Sequence, residues 1–371
     1  MTVVRAYPRM GVPNIENLFQ GDLTMNILAM DLGKSNTVIC FYDSQSGKHK
    51  YGKVKTTPGQ IHDLLADYSP DRVVFEICSS SGWVYDICTA LELETQVANT
   101  NHQAWRWRNV KRKNDRIDAL KLVQLSAMNQ LPEVHVPNRQ VRQKRSLIQY
   151  RQRLVKRRTQ IKNNIRALLE KEGLSLRGGK NGWSKVSVEQ LQSMSLSMDG
   201  CSCEDLWKGQ LHIELISLEQ VSKSITDIEN KLDALAVDDK KIKILRSAAG
   251  VGPRLAEVIA AFIDEPERFT NGKQVGSYAG LTPRQYQSGS MDRQGKISGQ
   301  GNKLLRSLLV EVSWLGLRHN KWMNETYHRL LRGSDSRKKI AITAVARKLL
   351  VRCWAMLRDE SCWRENIRQA A

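Results

Sequence analysis

Four apolar runs of strand length set the strongest limit on this chain's fold. They are NILAMDLG and NTVICFYD, joined at a Gly-Lys-Ser turn, then DRVVFEIC and TQVAN. Runs of this length and apolar density read as strands, and DRVVFEIC reads as one buried on both faces. KHKYGKVKT reads as a further strand, and GWVYDICTALELE and NDRIDALKLVQLSAMNQ as helices. Strands interleaved with helices in this way predict an α/β layer around a mixed sheet.

Pro132 and Pro137 end that pattern, and the chain beyond them reads as helix. Leu147, Leu154, Ile161 and Leu168 recur at intervals of seven. Leu211, Leu218, Val221, Ile225, Ile228, Leu232 and Leu235 step by seven, three and four. Both series describe an apolar seam of coiled-coil type. The expectation is an antiparallel helical hairpin with residues 173–205 as an irregular Gly/Ser-rich tip; an ordinary amphipathic pair and an intermolecular seam fit the same spacing. From about Lys241 the pattern is helix–GVG–helix, then a Gly-rich loop segment, then helices to about Asp359. The predicted fold class is therefore α/β plus all-α. Its parts are a catalytic α/β domain at 25–137, a coiled-coil region at 138–240 and a mainly helical domain at 241–371. Residues 1–24 lack a signal-peptide apolar core and contain ENLFQG, which resembles a protease-tag site without its tyrosine. They read as a leader or tag segment, with the first strand starting at Met25.

Charge narrows the function. The 371 residues carry 58 Lys and Arg against 38 Asp and Glu, a net charge of +20. Such an excess points to a polyanionic partner, because phosphate contacts release counterions. No run of 18 apolar residues and no lipidation signal favours a membrane instead. The seven cysteines include no C-x-x-C pair, and the histidines no H-x-x-x-H pair, which argues against a disulfide framework or a zinc site and for a reducing cytoplasm.

Within this basic chain a few carboxylates stand out. Asp31 ends the first apolar strand and Glu76 ends DRVVFE. Asp115 and Asp118 lie three apart, on one face of a helix. Taken singly, each is an ordinary surface or cap acid. Together they form an all-oxygen donor set suited to Mg²⁺. Two such ions about 3.5–4 Å apart serve phosphoryl transfer. The acids of the N-D-x-x-D helix sit in a stretch, Arg106 to Arg166, with 18 Lys and Arg and only three acids. Arg106, Arg108, Lys111, Arg112, Lys113 and Arg116 are candidate phosphate contacts there, and Trp105 and Trp107 candidate stacking groups. Gly250, Gly252 and Arg254, in GVGPR, have the shape of a helix-hairpin-helix turn that offers backbone N–H groups to phosphate. A plain helix–helix turn fits that segment equally. In the Gly-rich stretch, Arg284, Lys296, Lys303 and Arg306 are further candidate contacts, and Ser288 is a candidate nucleophile. A serine needs a base or a metal to act at neutral pH, and no histidine lies nearby in sequence.

The segments AMDLGKS, VVFEICSSSGW, RKNDRIDALKL, LRSAAGVGPRLA, SYAGLTPRQYQSGSMDRQGKISGQGNKLLR and SRKKIAITAVARKLLVRCWAMLRD together resemble one family. It is the DEDD transposases of bacterial insertion sequences, the IS-one-ten type, which includes the Piv-like DNA invertases. The resemblance runs from about Met25 to Asp359. It implies a RuvC-like, RNase-H-type N-terminal domain, a coiled coil and a C-terminal transposase domain. It implies donor and target DNA as substrates, an element-encoded noncoding guide RNA (a bridge or seek RNA), and a homo-oligomer, a dimer or a synaptic tetramer. It further implies that Asp31, Glu76, Asp115 and Asp118 hold two Mg²⁺ ions. Ser288, from another protomer, would form a phosphoserine link to DNA. Ser290 is the neighbouring candidate, and Gly299 stands where many relatives carry Lys. A bacterial cytoplasmic, nucleoid-associated location goes with this reading. Competing readings are a RuvC-like Holliday-junction endonuclease, a DNA invertase without an RNA guide, an actin-fold kinase and a non-catalytic nucleic-acid-binding protein.

Overall fold

The computed structural model describes residues 25–99, 115–176, 178–179, 181–288 and 291–364. Residues 1–24, the cations from Arg106 to Lys113, Trp105, Trp107 and Ser290 lie outside them. The chain divides into two compact units, one through Arg142 and one from Gln143.

The first unit runs β1 (Asn26–Leu32), β2 (Asn36–Asp43), β3 (His49–Lys55), α1 (Pro58–Tyr68), β4 (Arg72–Glu76), α2 (Ser81–Ala90), β5 (Glu94–Ala98) and α3 (Asp115–Ala127). The strands form one mixed sheet in the order β3-β2-β1-β4-β5. β1, β2 and β3 pair antiparallel, while β4 lies parallel to both β1 and β5. The five expected strands all appear. α1 is an addition. Its signals are local: Pro58 at its first position, the Thr57 side chain accepting from the Gln60 N–H, and Ile61, Leu64 and Leu65 buried on one stripe.

Strand alternation sorts the core into two layers. Leu28, Met30, Val73 and Phe75 pack toward α1 and α2 with Leu64, Val84 and Cys88. Ile27, Ala29, Cys40 and Val74 pack toward α3, against Ala119, Leu122 and Val123. Each fully buried aliphatic side chain contributes about 1.5–3 kcal/mol.

α4 (Arg139–Lys171) comes next in the chain, then α5 (Lys185–Met194) and α6 (Leu206–Ala236). In the second unit α4 and α6 run antiparallel. Lys144 meets Asp239, Arg151 meets Glu229, and Asn164 meets Glu214. Their shared apolar cluster includes Leu154, Ile161, Ile165 and Leu169 against Leu211, Leu218, Val221 and Ile225. Ile148, Ile165 and Leu169 are buried where strict sevens would have placed Leu147 and Leu168, which are only half-buried. Leu169 is buried within the α4–α6 seam, whereas Ile148 is buried in the separate cluster around α8, so one helix serves two cores. The segment expected to be an irregular tip contains α5, capped by Ser184 and anchored by buried Leu191.

The remainder is α7 (Lys240–Arg246), α8 (Pro253–Ile263), α9 (Gly272–Tyr278), β6 (Pro283–Ser288), β7 (Met291–Ile297), α10 (Lys303–Gly316), α11 (Lys321–Leu331) and α12 (Lys338–Arg358). Its core gathers around α8, which is buried from Leu255 to Ile263, and around α12. Arg268 and Arg145 donate to the carbonyls of Ala261, Phe262 and Ile263 at the end of α8, so these cations are structural. The Gly-rich segment expected to be loop is instead an antiparallel hairpin, β6–β7, with Ser288 paired to Met291. Its strands are polar, so they carry no hydrophobic alternation to betray them. Among the described residues no helix is long and apolar enough to cross a membrane.

Candidate active site at the strand ends

Asp31 and Glu76 stand at the ends of adjacent parallel strands. Met30 pairs with Phe75, so Asp31 and Glu76 occupy the next step on each strand. Alternation puts Asp31 on the face of Ile27 and Ala29, and Glu76 on the face of Arg72 and Val74. That is the face covered by α3. Both carboxylates are therefore presented at one end of one side of the sheet.

α3 is locked in place along β4. The Arg72 guanidinium is buried. It donates to the Ser126 carbonyl at 3.2 Å and to the Glu94 carboxylate at 2.8 Å. Ser126 in turn donates to Gln96 at 2.6 Å, and Gln96 to Glu133 at 2.9 Å. Arg72 thus fixes the last turn of α3 at the start of β4, and the helix runs back toward the end of that strand. The lengths match: four strand steps from Arg72 to Glu76 span about 13 Å, and eight helical steps from Ser126 to Asp118 span about 12 Å. Asp118, half-buried in the first turn, therefore comes level with Glu76, while Asp115 is exposed at the helix start. The N-terminal end of a helix carries partial positive charge and favours acids there.

Lys121 supports that convergence independently. It is only 7 % exposed, although it lies on the stripe of Ile117 and Leu125, at least about 100° around α3 from Ala119, Leu122 and Val123. Burial pushes its ammonium below the usual lysine range. The negative charges of Asp118 and Glu76 pull it back up. One ammonium thus senses carboxylates from both the helix and the strand end. Sequence reading missed Lys121. The available signal was a lysine three residues after Asp118 at an apolar position of the helix.

The turns behind the acids are tied down as well. Gly33 follows β1 so closely that a Cβ would lie 2.4 Å from the Asn36 carbonyl oxygen. Its own carbonyl accepts from the Thr56 hydroxyl at 2.8 Å. Beyond Glu76, the Ser81 hydroxyl donates to the Glu76 carbonyl and accepts from the Cys78 N–H.

The other candidates are placed elsewhere. Arg116 lies over the Tyr51 ring, 5.5 Å from its centroid. Gly250, with φ +89, and Gly252, the N-cap of α8, make the α7–α8 turn, and Asn320 donates to Ala249 there. Arg254 differs from the expectation of a phosphate contact. It is ion-paired with Asp233 and with Glu257, at 3.0 Å for the latter, so two carboxylates already compensate it. Arg306 donates to the Ala279 carbonyl, and Arg284 reaches the Ser298 carbonyl at 3.4 Å. Lys296 and Lys303 are exposed, and Ser288 closes β6 at the hairpin end.

A chain with acids at two parallel strand ends and on a covering helix has the outline of a DEDD-type DNA-processing enzyme. Residues 28–172 match a family described as Transposase, the DEDD type of IS110, and residues 242–328 match the Transposase IS116/IS110/IS902 family. The chain belongs to the IS110 family of DEDD transposases. It is 26% identical to the transposase for insertion sequence element IS1111A of Coxiella burnetii, over 92% of each chain. A probable family 20 transposase of Pseudomonas aeruginosa is 26% identical over 92% of this chain and 99% of that protein. A pilin gene-inverting protein of Moraxella lacunata is 27% identical over 40% of this chain and 48% of its own length.

Proposed function

We propose that the chain is an RNA-guided DNA recombinase that moves an insertion sequence by Mg²⁺-dependent cleavage and strand exchange. What supports this reading is that Asp31 and Glu76 lie at one end of one face of the sheet, that α3 with Asp115 and Asp118 covers that face, and that Lys121 feels the charges of both Asp118 and Glu76. The donor set is carboxylate oxygen only, which suits a hard divalent ion such as Mg²⁺. Bound there, two such ions would supply activation of a nucleophile and stabilisation of the leaving oxygen. Asp31, Glu76, Asp115 and Asp118 would hold them. Lys121 balances part of the negative charge when the carboxylates stand alone. The mixed sheet with helices on both faces supports a RuvC-like, RNase-H-type reading of the first unit, and the antiparallel α4–α6 seam supports a coiled coil.

Ser288 is the proposed nucleophile. Its Oγ–P bond forms as the bridging P–O bond to the leaving strand breaks, giving a phosphoserine link that strand exchange later resolves. Its place at the end of a polar, exposed hairpin suits a group that must reach DNA, in a composite site built by two protomers of a dimer or tetramer. The test is recombination with element DNA and its noncoding RNA. Ser288→Ala should abolish both recombination and covalent protein–DNA adducts on a denaturing gel, while Asp118→Asn should abolish cleavage. Undiminished adducts in the serine variant would remove Ser288 from the mechanism and move attention to Ser290.

Site-specific DNA inversion without a guide is the second reading, favoured by the similarity to pilin gene-inverting proteins. Recombination that proceeds equally well after the RNA is withheld would select it.

A further inference from the structure

The second unit contains a cavity of about 500 Å³ whose lining includes Lys273 of α9, Arg329 of α11, and Arg347, Lys348 and Arg352 of α12. No acidic residue lines it. Among the described residues none of these five cations makes an ion pair, although other cations of the unit do: Lys144 with Asp239, Arg151 with Glu229, Arg254 with Asp233 and Glu257. The positive charge in the cavity is thus gathered without a counter-charge from the protein.

The cations are also held in place. The Arg352 guanidinium stands 4.5 Å from the ring centroid of Trp322, which also lines the cavity, and 3.7 Å from that of Trp363. One of its nitrogens donates to the Arg364 carbonyl, and its Nη1 is buried with no hydrogen-bond partner. The stem of Arg347 lies where a Cβ on Gly276 would come within 3.2 Å of it, so the glycine leaves room for that side chain. Burial lowers the Lys348 ammonium from its usual range, and the neighbouring charges of Arg329 and Arg347 lower it further. An added anion would relieve that repulsion and favour the charged ammonium.

We propose that this cavity is a phosphodiester-binding site that seats the backbone of a nucleic-acid strand in the second unit. Five cations exceed what a single small phosphate requires. Moreover, Thr282 of the lining leads directly into the β6–β7 hairpin, where Arg284, Arg293 and Lys296 are exposed. Cations extending from a cavity along a ribbon suit a continuous strand. The inference rests on the transposition reading only in that the chain works on nucleic acid. It holds whichever residues carry out cleavage.

The test uses the full chain in EDTA, so that cleavage plays no part. Binding of labelled single-stranded RNA, single-stranded DNA of the same sequence and duplex DNA is measured by anisotropy across a salt series. The comparison is wild type against Arg329→Gln/Lys348→Gln, which leaves the Arg352 stack intact. Each lost phosphate contact lowers the slope of log affinity against log salt by about 0.7 on single strands and about 0.9 on duplex. The double variant should show a shallower slope, by roughly one to two units, on at least one probe, and that probe names the source of the strand. Unchanged slopes and affinities on all three probes, at a wild-type melting temperature, would overturn the site. Should the double variant melt early, acetylation of the wild-type protein decides instead. Lys273 and Lys348 should be protected when nucleic acid is bound, and equal labelling with and without it would equally overturn the proposal. A wild-type chain that binds none of the probes would sink the transposition reading as well. Binding that the variants leave untouched would sink the cavity alone.

Discussion

The carboxylate end of the first unit and the cationic cavity of the second each concentrate one sign of charge, but they do so differently. At the strand ends the acids come with a built-in partial counter-charge, the buried Lys121, and with backbone turns pinned behind them. In the cavity one cation, Arg352, is held against Trp322 and Trp363, and no acid lines the cavity to answer the five. The first arrangement suits a small, hard cation that has to be positioned with accuracy. The second suits an extended polyanion, for which matching charge matters more than one fixed geometry.

The sharpest way to break this contrast is to neutralise an acid. Asp31→Asn or Glu76→Gln should lower DNA cleavage by at least about a hundredfold while nucleic-acid affinity in EDTA stays near wild type. Gel-based cleavage and anisotropy, run side by side, check this; a parallel loss of binding would mean that the acids build the fold rather than the chemistry. Next in size is Leu122→Ala, which empties a fully buried position between α3 and the sheet. It should cost about 2–5 kcal/mol in denaturant unfolding. Because α3 carries two of the acids, cleavage should fall as well even where the protein is still folded. An equal truncation on the outer helix α5, at exposed Val186, should change neither.

A smaller effect distinguishes both regions from a carboxylate that has its cation. Glu257 is 5 % exposed beside Arg254, and burial, opposed by Arg254, pushes its carboxyl up to about 7. Its folded value lies above the ordinary 4.5, so the protonated form is favoured by folding. Its contribution to stability is full below about pH 4.5 and is lost as pH rises through about 7. Glu257→Gln does not titrate. The melting temperature of that variant relative to wild type should therefore rise across this window and then level off. A pH-independent difference would show that Arg254 already keeps Glu257 ionised. The smallest readout is chemical. Burial lifts the Cys40 and Cys353 thiols to about 12 and Cys88 to about 11. In native protein at pH 8 these three should resist alkylation while exposed Cys78, Cys203 and Cys362 react, as intact mass will report.

The sequence is legible where the physics is local. The strands of the first sheet, and Asp31 and Glu76 at their ends, could be read because an apolar run that stops at an acid is a short-range pattern. α1 was just as local, with Thr57 and Pro58 at its start, but its three buried residues are a thin stripe among polar ones. β6 and β7 escaped because both their faces are polar. Lys121 escaped because a buried lysine makes sense only once Glu76, 45 positions earlier in the chain, is known to face it. The cavity was illegible for the same reason on a larger scale. Its cations come from three helices spread between Lys273 and Arg352, and nothing in their spacing announces that they meet.

The match in length between β4 and α3 carries a consequence for how this chain can change. With Arg72 holding Ser126 at one end and Lys121 within reach of the charges of Asp118 and Glu76 at the other, the helix behaves as a ruler with a fixed phase. Removing one residue between Asp118 and Ser126 would shorten it by only about 1.5 Å, yet swing Asp115 and Asp118 about 100° around the axis, away from Glu76. Inserting a whole turn would restore the phase but carry Asp118 about 5.4 Å past the level of Glu76. The segment between these two anchors is constrained in length more tightly than in composition.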